Sequence, residues 1–487
     1  MLSIIRYILL IHTRFGDCML SMIFQNSSKT PLYEQLYRRI RDEIELGNLL
    51  KGERLPSKRA LAKHLQISVS TVQNAYAQLL AEGYLRSEEK RGYFVCVDPL
   101  TFIKRTANSK ATVPVESPTT KPFLQVAARY DLRTNAVDLE HFPYSVWSRL
   151  LRETMREAPT DLLNSVHPQG DPGLRIEIAK YLRIFRDINI HPDQIIVGAG
   201  IEYIIGLITE LLAKAVFAFE DPGYPKIRKI LENRHNPAFP VSVNEGGIDV
   251  GEFIRTKATA IFVTPSNQFP TGAVMPVQCR RQLVEWAEQE GDNYIIEDDF
   301  NSEFHYVLRP IPALYSLSTG QKVIYINSFA QTLAPSLRIA YSVLPDALLR
   351  RYQTALMFYS CTVSQFEQLT LKRFLQGAYY ERHLNRMRTV YKSRQNAFIE
   401  SLKPLEDTII IDGQKAGLHL RIKVPKASEQ ELVQAALDKG VRVYPFSDYF
   451  AAPPPETHTV VAGYAGYSPD GLKQAAELLC AAWRAIP

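Results

Sequence analysis

Five short apolar runs between residues 194 and 326 each end in small or polar residues of the kind that meet ligands. The runs are 194–197, 215–219, 260–263, 294–296 and 323–326. Their ends are Gly198-Ala199-Gly200, Glu220-Asp221, Thr264-Pro265-Ser266, Glu297-Asp298-Asp299 and Asn327-Ser328. Any one of these alone is more simply an ordinary strand-to-helix turn. Five together outline one pocket, because ligands of open α/β sheets bind at the carboxyl ends of the strands. Metal chemistry is not indicated. The cysteines (Cys18, Cys96, Cys279, Cys361 and Cys480) are odd in number and far apart, with no CxxC pair. Neither a zinc site nor a disulfide framework follows, and a reducing, cytoplasmic setting fits.

The elements that must position these residues follow from the rhythm of the chain. Strands separated by helical stretches imply an α/β domain with a largely parallel sheet covered on both faces. The N-terminal part is different. Leu32, Leu36, Ile40 and Ile44 recur every four residues and mark one helical face. Ser57 can cap a second helix burying Leu61 and Leu65, and Ser68 a third burying Val72, Ala75, Tyr76, Leu79 and Leu80. Only Gln66 and Ile67 separate the second apolar face from the third helix's cap, which is a helix-turn-helix spacing. Gly83-Tyr84-Leu85 and Gly92-Tyr93-Phe94-Val95 read as two strands around the tip Lys90-Arg91-Gly92, a wing. Between residues 31 and 95 there are eleven Lys/Arg against eight Asp/Glu, half of the whole chain's excess of +6. That is a mild polyanion signal.

At 487 residues the chain needs two or three domains. Residues 1–21 read as an over-extended start. Their apolar stretch is broken by Arg6, His12 and Arg14, is too short to span a bilayer, and lacks a small-residue cleavage site beside Asp17. A working start at Met19 or Met22 is expected, and no membrane association. Residues 22–98 form the winged helix-turn-helix and 99–129 a Ser/Thr/Pro/Lys-containing linker. Residues 130–487 form the large domain, with a larger part at about 160–345 and a smaller part at about 346–487.

The run Leu55-Pro56-Ser57-Lys58-Arg59-Ala60-Leu61-Ala62, with Thr71-Val72-Gln73-Asn74-Ala75-Tyr76 and Glu82-Gly83-Tyr84-Leu85, resembles the GntR family of bacterial repressors and activators. The resemblance implies double-stranded DNA as partner. The third helix would enter the major groove and present Ser68, Ser70, Thr71 and Gln73. Arg59, Lys90 and Arg91 would hold phosphates or reach the minor groove. Many relatives carry Arg after the capping residue. Here Val69 stands there, able to meet a thymine methyl but not a phosphate.

From about Tyr130 onward the chain resembles fold-type I aminotransferases as they occur in the MocR subfamily of GntR regulators. The matching segments are Gly170-Asp171-Pro172-Gly173-Leu174-Arg175, Glu220-Asp221-Pro222-Gly223-Tyr224, Thr264–Gly272 (TPSNQFPTG), Glu297-Asp298-Asp299-Phe300 and Ser328–Arg338 (SFAQTLAPSLR). The resemblance implies pyridoxal phosphate as cofactor. Asp298 would pair with the pyridine nitrogen and Tyr224 would stack on the ring. Ser328 and Arg338 would hold the phosphate with backbone N–H groups of the turn at Gly200. It also implies a homodimer.

Gln331 departs from that pattern. The family has Lys there, whose amine condenses with the cofactor aldehyde, and a carboxamide nitrogen is not a nucleophile. Phe300 stands where relatives have Tyr, and Ala330 replaces a common Ser. The cofactor is thus held non-covalently at best, and no residue is assigned a catalytic role. The expected function is a DNA-binding regulator whose aminotransferase-like domain binds a small-molecule effector, dimerises, or both. The alternatives are a pyridoxal-phosphate-dependent aminotransferase with an accessory DNA-binding domain, and a scaffold without ligand.

Overall fold

The computed structural model describes residues 30–97, 128–157, 160–244, 247–289, 291–306, 312–318 and 321–486. The expected over-extended start at 1–21 and nearly all of the expected linker at 99–129 lie outside the described residues. The chain divides into two compact units, residues 1–124 and 125–487.

In the first unit α1 (Leu32–Glu45) buries Leu36, Tyr37, Ile40 and Ile44. Leu32, expected on that face, is instead 37% exposed. It sits at the first helical position, one turn outside the core layer that begins at Leu36. β1 (Arg54–Leu55) comes next, a strand the residue pattern did not announce. α2 (Lys58–Leu65) is capped by Ser57, whose side chain accepts from the Ala60 N–H. Gln66 then takes a left-handed conformation (φ 54°), so the chain reverses within three residues. α3 (Val69–Ala81) starts at Ser68, which accepts from the Thr71 N–H. Each cap satisfies a helix N–H that would otherwise lack a partner, typically worth about 1 kcal/mol. Tyr76 is fully buried at the centre of this core and its hydroxyl donates to the Pro56 carbonyl at 2.9 Å. β2 (Leu85–Glu88) and β3 (Gly92–Val95) pair antiparallel as the wing, and β1 adds to the far side of β3.

The second unit opens with β4 (Tyr130–Asp131), which pairs with β15 (Val441–Arg442), so the beginning and end of this unit are joined. Its main sheet has eight strands: β5 (Ile195–Gly198), β6 (Phe217–Asp221), β7 (Ala238–Asn244), β8 (Gly247–Ile248), β9 (Ala260–Val263), β10 (Tyr294–Asp298), β11 (Val323–Ser328) and β12 (Ala340–Val343). Their order is β5-β12-β11-β10-β9-β6-β7-β8. The run β11-β10-β9-β6-β7 is parallel, while β12 lies antiparallel between β11 and β5. Both faces of the central strands are buried, as continuous apolar strands require, while β7 near the sheet edge leaves Phe239 exposed. Ile295 and Ile261 pack in a cluster with Phe253 and Leu283, whereas Ile296 and Phe262 pack with Ile204, Ile208 and Leu348. A smaller four-stranded sheet, ordered β13-β14-β17-β16, is formed by β13 (Ile410–Asp412), β14 (His419–Lys423), β16 (Tyr444–Pro445) and β17 (Thr459–Gly463). Among the described residues no helix is long and apolar enough to cross a membrane.

Candidate functional site

The parallel strands end on one pocket of the larger unit, and all six residues expected to bind a cofactor line it: Gly200, Tyr224, Asp298, Ser328, Gln331 and Arg338. They come from the ends of β5, β6, β10 and β11 and from the loop after β11. The strands run further than the apolar runs indicated, so Asp221, Asp298 and Ser328 are terminal strand residues.

The adjacent aspartates divide because the backbone stays extended one residue past β10, where the Asp299 N–H still donates to the Ile326 carbonyl, and successive residues of an extended chain point to opposite sides. Asp299 turns away from the pocket. It pairs with Arg186 at 2.7 Å and accepts from Ser266, Ser302 and Tyr325. Asp298 faces the pocket, and no hydrogen bond among the described residues reaches its carboxyl. Burial, then the neighbouring Asp299, Glu220 and Glu297, push it up to about 8. Glu303, on the same pocket wall, is pushed up to about 7 by burial and then by Asp299. Neither carboxyl forms an ion pair among the described residues, although Glu303 accepts from Asn327 Nδ2 and the Tyr181 hydroxyl.

Other buried polar atoms here also lack partners. Both amide atoms of Asn301 are sealed from solvent without a hydrogen bond, and so is Gln331 Oε1. An unmade hydrogen bond of this kind costs about 1–3 kcal/mol. Aromatic rings form the remaining wall. Phe269 meets Tyr224 and Phe300 edge to face, at 6.0 and 5.5 Å between centroids. The loop behind them, 264–269, is held by fully buried Arg280, which donates to the carbonyls of Pro265, Met275 and Pro312.

At the outer end Gly200, with φ +92°, precedes the helix Ile201–Leu211. Any side chain there would stand 2.3 Å from Arg338 Nη2, so glycine permits the arginine to lie across the turn. Arg338 pairs with Glu202 at 2.7 Å, and Lys226 pairs with the same carboxylate at 2.5 Å. Burial alone would raise the Glu202 carboxyl, but hydrogen bonds from Lys226 and Arg338 outweigh it and hold it down at about 2. For Lys226 burial opposes the charge, and the bond to Glu202 prevails, keeping the ammonium above its ordinary value. The Ser328 hydroxyl donates to the Ile339 carbonyl and accepts from the Ala330 N–H. Glu202, Lys226, Asn301 and Glu303 were not singled out from the sequence. Only Lys226, two residues after Tyr224, offered a hint.

In the smaller unit the exposed start of α3 carries Ser68, Val69, Ser70 and Gln73, with Thr71 half-buried. Ser68 Oγ lies 2.8 Å from Ser70 Oγ and 2.7 Å from Thr71 Oγ1, so the three hydroxyls form one polar cluster. Arg59 and Lys90 are exposed and make no ion pair among the described residues, whereas Arg91 pairs with Glu88 at 2.8 Å. Two more cations belong to this surface. Lys58 lies over the Tyr93 ring at 5.6 Å, and Arg54 runs beside the wing glycine, Gly92. By contrast the arginines of α1 are neutralised by Glu34, Glu43 and Asp42. The free positive charge thus collects around α2 and the wing.

Known proteins match both units. The family model described as bacterial regulatory proteins of the gntR family matches residues 32–95. The uncharacterized HTH-type transcriptional regulator YdeL of Bacillus subtilis is 35% identical over 93% of this chain and 97% of its own length. The probable rhizopine catabolism regulatory protein MocR of Rhizobium meliloti is 32% identical over 96% of each chain. Among solved structures, LysN, an alpha-aminoadipate aminotransferase from Thermus thermophilus complexed with N-(5'-phosphopyridoxyl)-L-leucine, superposes with a TM-score of 0.64. It is 22% identical, covering 73% of this chain and 92% of that one, a likeness of fold alone.

Proposed function

The chain belongs to the GntR family of helix-turn-helix transcriptional regulators, in the MocR type with an aminotransferase-like domain, and we propose that this domain holds a pyridine 5'-phosphate without a covalent bond and signals its presence to the DNA-binding domain. DNA is met by the start of α3 in the major groove, where Ser68, Ser70, Thr71 and Gln73 face the bases. Arg59, Lys90 and Arg91 hold backbone phosphates, a task for which exposed and largely unpaired cations suit them. Such a regulator acts at the chromosome, in the cytoplasm, and as a homodimer would read paired half-sites.

The observation that carries the effector reading is the convergence of Gly200, Tyr224, Asp298, Ser328, Gln331 and Arg338 on one pocket in which the buried amide atoms of Asn301 and the Gln331 Oε1 lack partners. The residues fit a pyridine phosphate. Asp298 would pair with the ring nitrogen, Tyr224 would cover a ring face, and Arg338 with Ser328 and the Gly200 turn would hold the phosphate. When bound, the cofactor supplies a protonated pyridine ring that withdraws electrons. Gln331 contributes no attachment, because its amide nitrogen shares its lone pair with the carbonyl. Lys226 lines the same pocket but is no substitute nucleophile, since its pairing with Glu202 keeps it protonated. Amino acid turnover is therefore not expected.

Calorimetry of the full chain with pyridoxal 5'-phosphate, beside gel-shift assays on DNA flanking its own gene, tests the reading. Saturable one-to-one binding that changes the DNA affinity is expected. No binding to the pocket would overturn the effector role, and light scattering showing a monomer at micromolar concentration would overturn the dimer. Turnover of an amino acid would restore the enzyme reading.

A further inference from the structure

The charges of the pocket are sorted along its length. Its two cations, Lys226 and Arg338, stand together at the Glu202 end. Its inner wall carries Asp298 and Glu303, both buried, with buried Glu220 behind them. Arg186, the guanidinium nearest to hand, forms its ion pair with Asp299. Glu303 accepts from Asn327 Nδ2 at 3.2 Å and from the Tyr181 hydroxyl at 3.3 Å but forms no ion pair among the described residues, and burial, then Asp299, push it up to about 7. Gln331, on the loop after β11, lines the same pocket, and its Oε1 is sealed from solvent and accepts no hydrogen bond.

Each feature asks something of a ligand. The cation pair asks for an anion. The unpartnered Gln331 Oε1 asks for a hydrogen-bond donor, because an oxygen acceptor placed against it repels it. The carboxyl-bearing wall asks for positive charge in addition to that on a ring nitrogen. An aldehyde offers only an acceptor and no charge. An aminomethyl group, protonated at neutral pH, offers three donors and one positive charge.

We infer that the pocket selects the amine form of the cofactor, pyridoxamine 5'-phosphate, over the aldehyde form, with Gln331 Oε1 accepting a hydrogen bond from the ligand's ammonium. This rests on the proposed effector reading and deepens it: the substituted position discriminates between two states of one ligand. A regulator of this kind reports the amine-loaded fraction of the cofactor pool. No bond is made or broken in that recognition, so the ligand leaves as it came.

A hydrogen bond from a charged donor is worth about 1.5–3 kcal/mol, which is roughly ten- to a hundredfold in affinity. Calorimetry of the full chain should compare pyridoxamine 5'-phosphate, pyridoxal 5'-phosphate and 4'-deoxypyridoxine 5'-phosphate. The last carries a methyl group at the discriminating position and cannot react with surface amines. The amine should bind at least about tenfold more tightly than either other compound. Gln331→Leu should abolish the preference, and Gln331→Glu, similar in shape but charged, should widen it. If pyridoxal or the deoxy compound binds as tightly as the amine, this inference fails while the pocket reading stands. A preference that survives Gln331→Leu also refutes it, since another group would then carry the selection. If none of the three binds, the effector reading itself fails.

Discussion

Replacing Asp298 by asparagine should stabilise the ligand-free protein, and the gain should grow with pH. The carboxyl closes β10 in a buried position, and burial with its acidic neighbours pushes it up to about 8. An aspartate in an unfolded chain titrates near 3.9. Between those values the unfolded chain has released its proton and the folded chain has kept it, so raising the pH favours unfolding. The loss begins near pH 4, proceeds at up to about 1.4 kcal/mol per pH unit, and levels off once Asp298 itself ionises. Asparagine keeps the shape and removes this slope. Because the pocket can relax and admit water, the ideal gain of about 4 kcal/mol from pH 5 to pH 8 shrinks to roughly 2–4 kcal/mol. Glu220, Glu297 and Glu303 remain in both proteins and largely cancel in the comparison. Urea unfolding at pH 5, 6.5 and 8 is the assay. Trp147, Trp286 and Trp483 all lie in the larger unit, so fluorescence reads that unit. Equal stability of the two proteins at every pH, or a less stable variant, would refute the claim that this carboxyl lacks a partner. Saturating ligand should then stabilise the wild type more than the variant, as mass action requires of the tighter binder.

Gln331→Lys should gain a borohydride-reducible covalent adduct with pyridoxal 5'-phosphate at position 331, found by peptide mapping, where the wild type shows none. Adding Phe300→Tyr should strengthen binding by the worth of one hydrogen bond, about 1 kcal/mol. Removing the charge of Arg59 should weaken operator binding and lower its salt dependence by about one phosphate contact. Arg91→Ala should do so less, because Glu88 already holds that guanidinium; equal effects in a salt titration would count against the ion pair's role. Glu202→Gln should raise the affinity for pyridine phosphates by freeing Arg338 and Lys226, and weaker binding in calorimetry would mean that Glu202 positions these cations rather than competes for them.

Local chemistry sufficed for the helix-turn-helix and the wing. Ser57 and Ser68 cap the helices they precede, and Val72, Ala75, Tyr76 and Leu79 form the buried face their spacing implies, because caps and periodicity act within a few residues. The parallel strands β6, β9, β10 and β11 were legible for the same reason, as apolar runs buried on both faces, whereas β7, with Phe239 exposed, was not. Contacts across long separations were not. Nothing local announces that β12 lies antiparallel inside the sheet, or that β4 pairs with β15 across some three hundred residues. The pocket divides along the same line. Residue types and motif order brought Asp298, Ser328, Gln331 and Arg338 forward as candidates, and the loss of a nucleophile at Gln331 is a fact of covalent chemistry that folding does not alter. Only the tertiary structure decided that Asp298 faces the pocket while Asp299 meets Arg186, that Glu202 draws Arg338 and Lys226 together, and that Gln331 Oε1 is buried without a partner. Burial and the proximity of charges are set by segments far apart in the chain, and it is they that fix what each carboxyl, amine and amide can do.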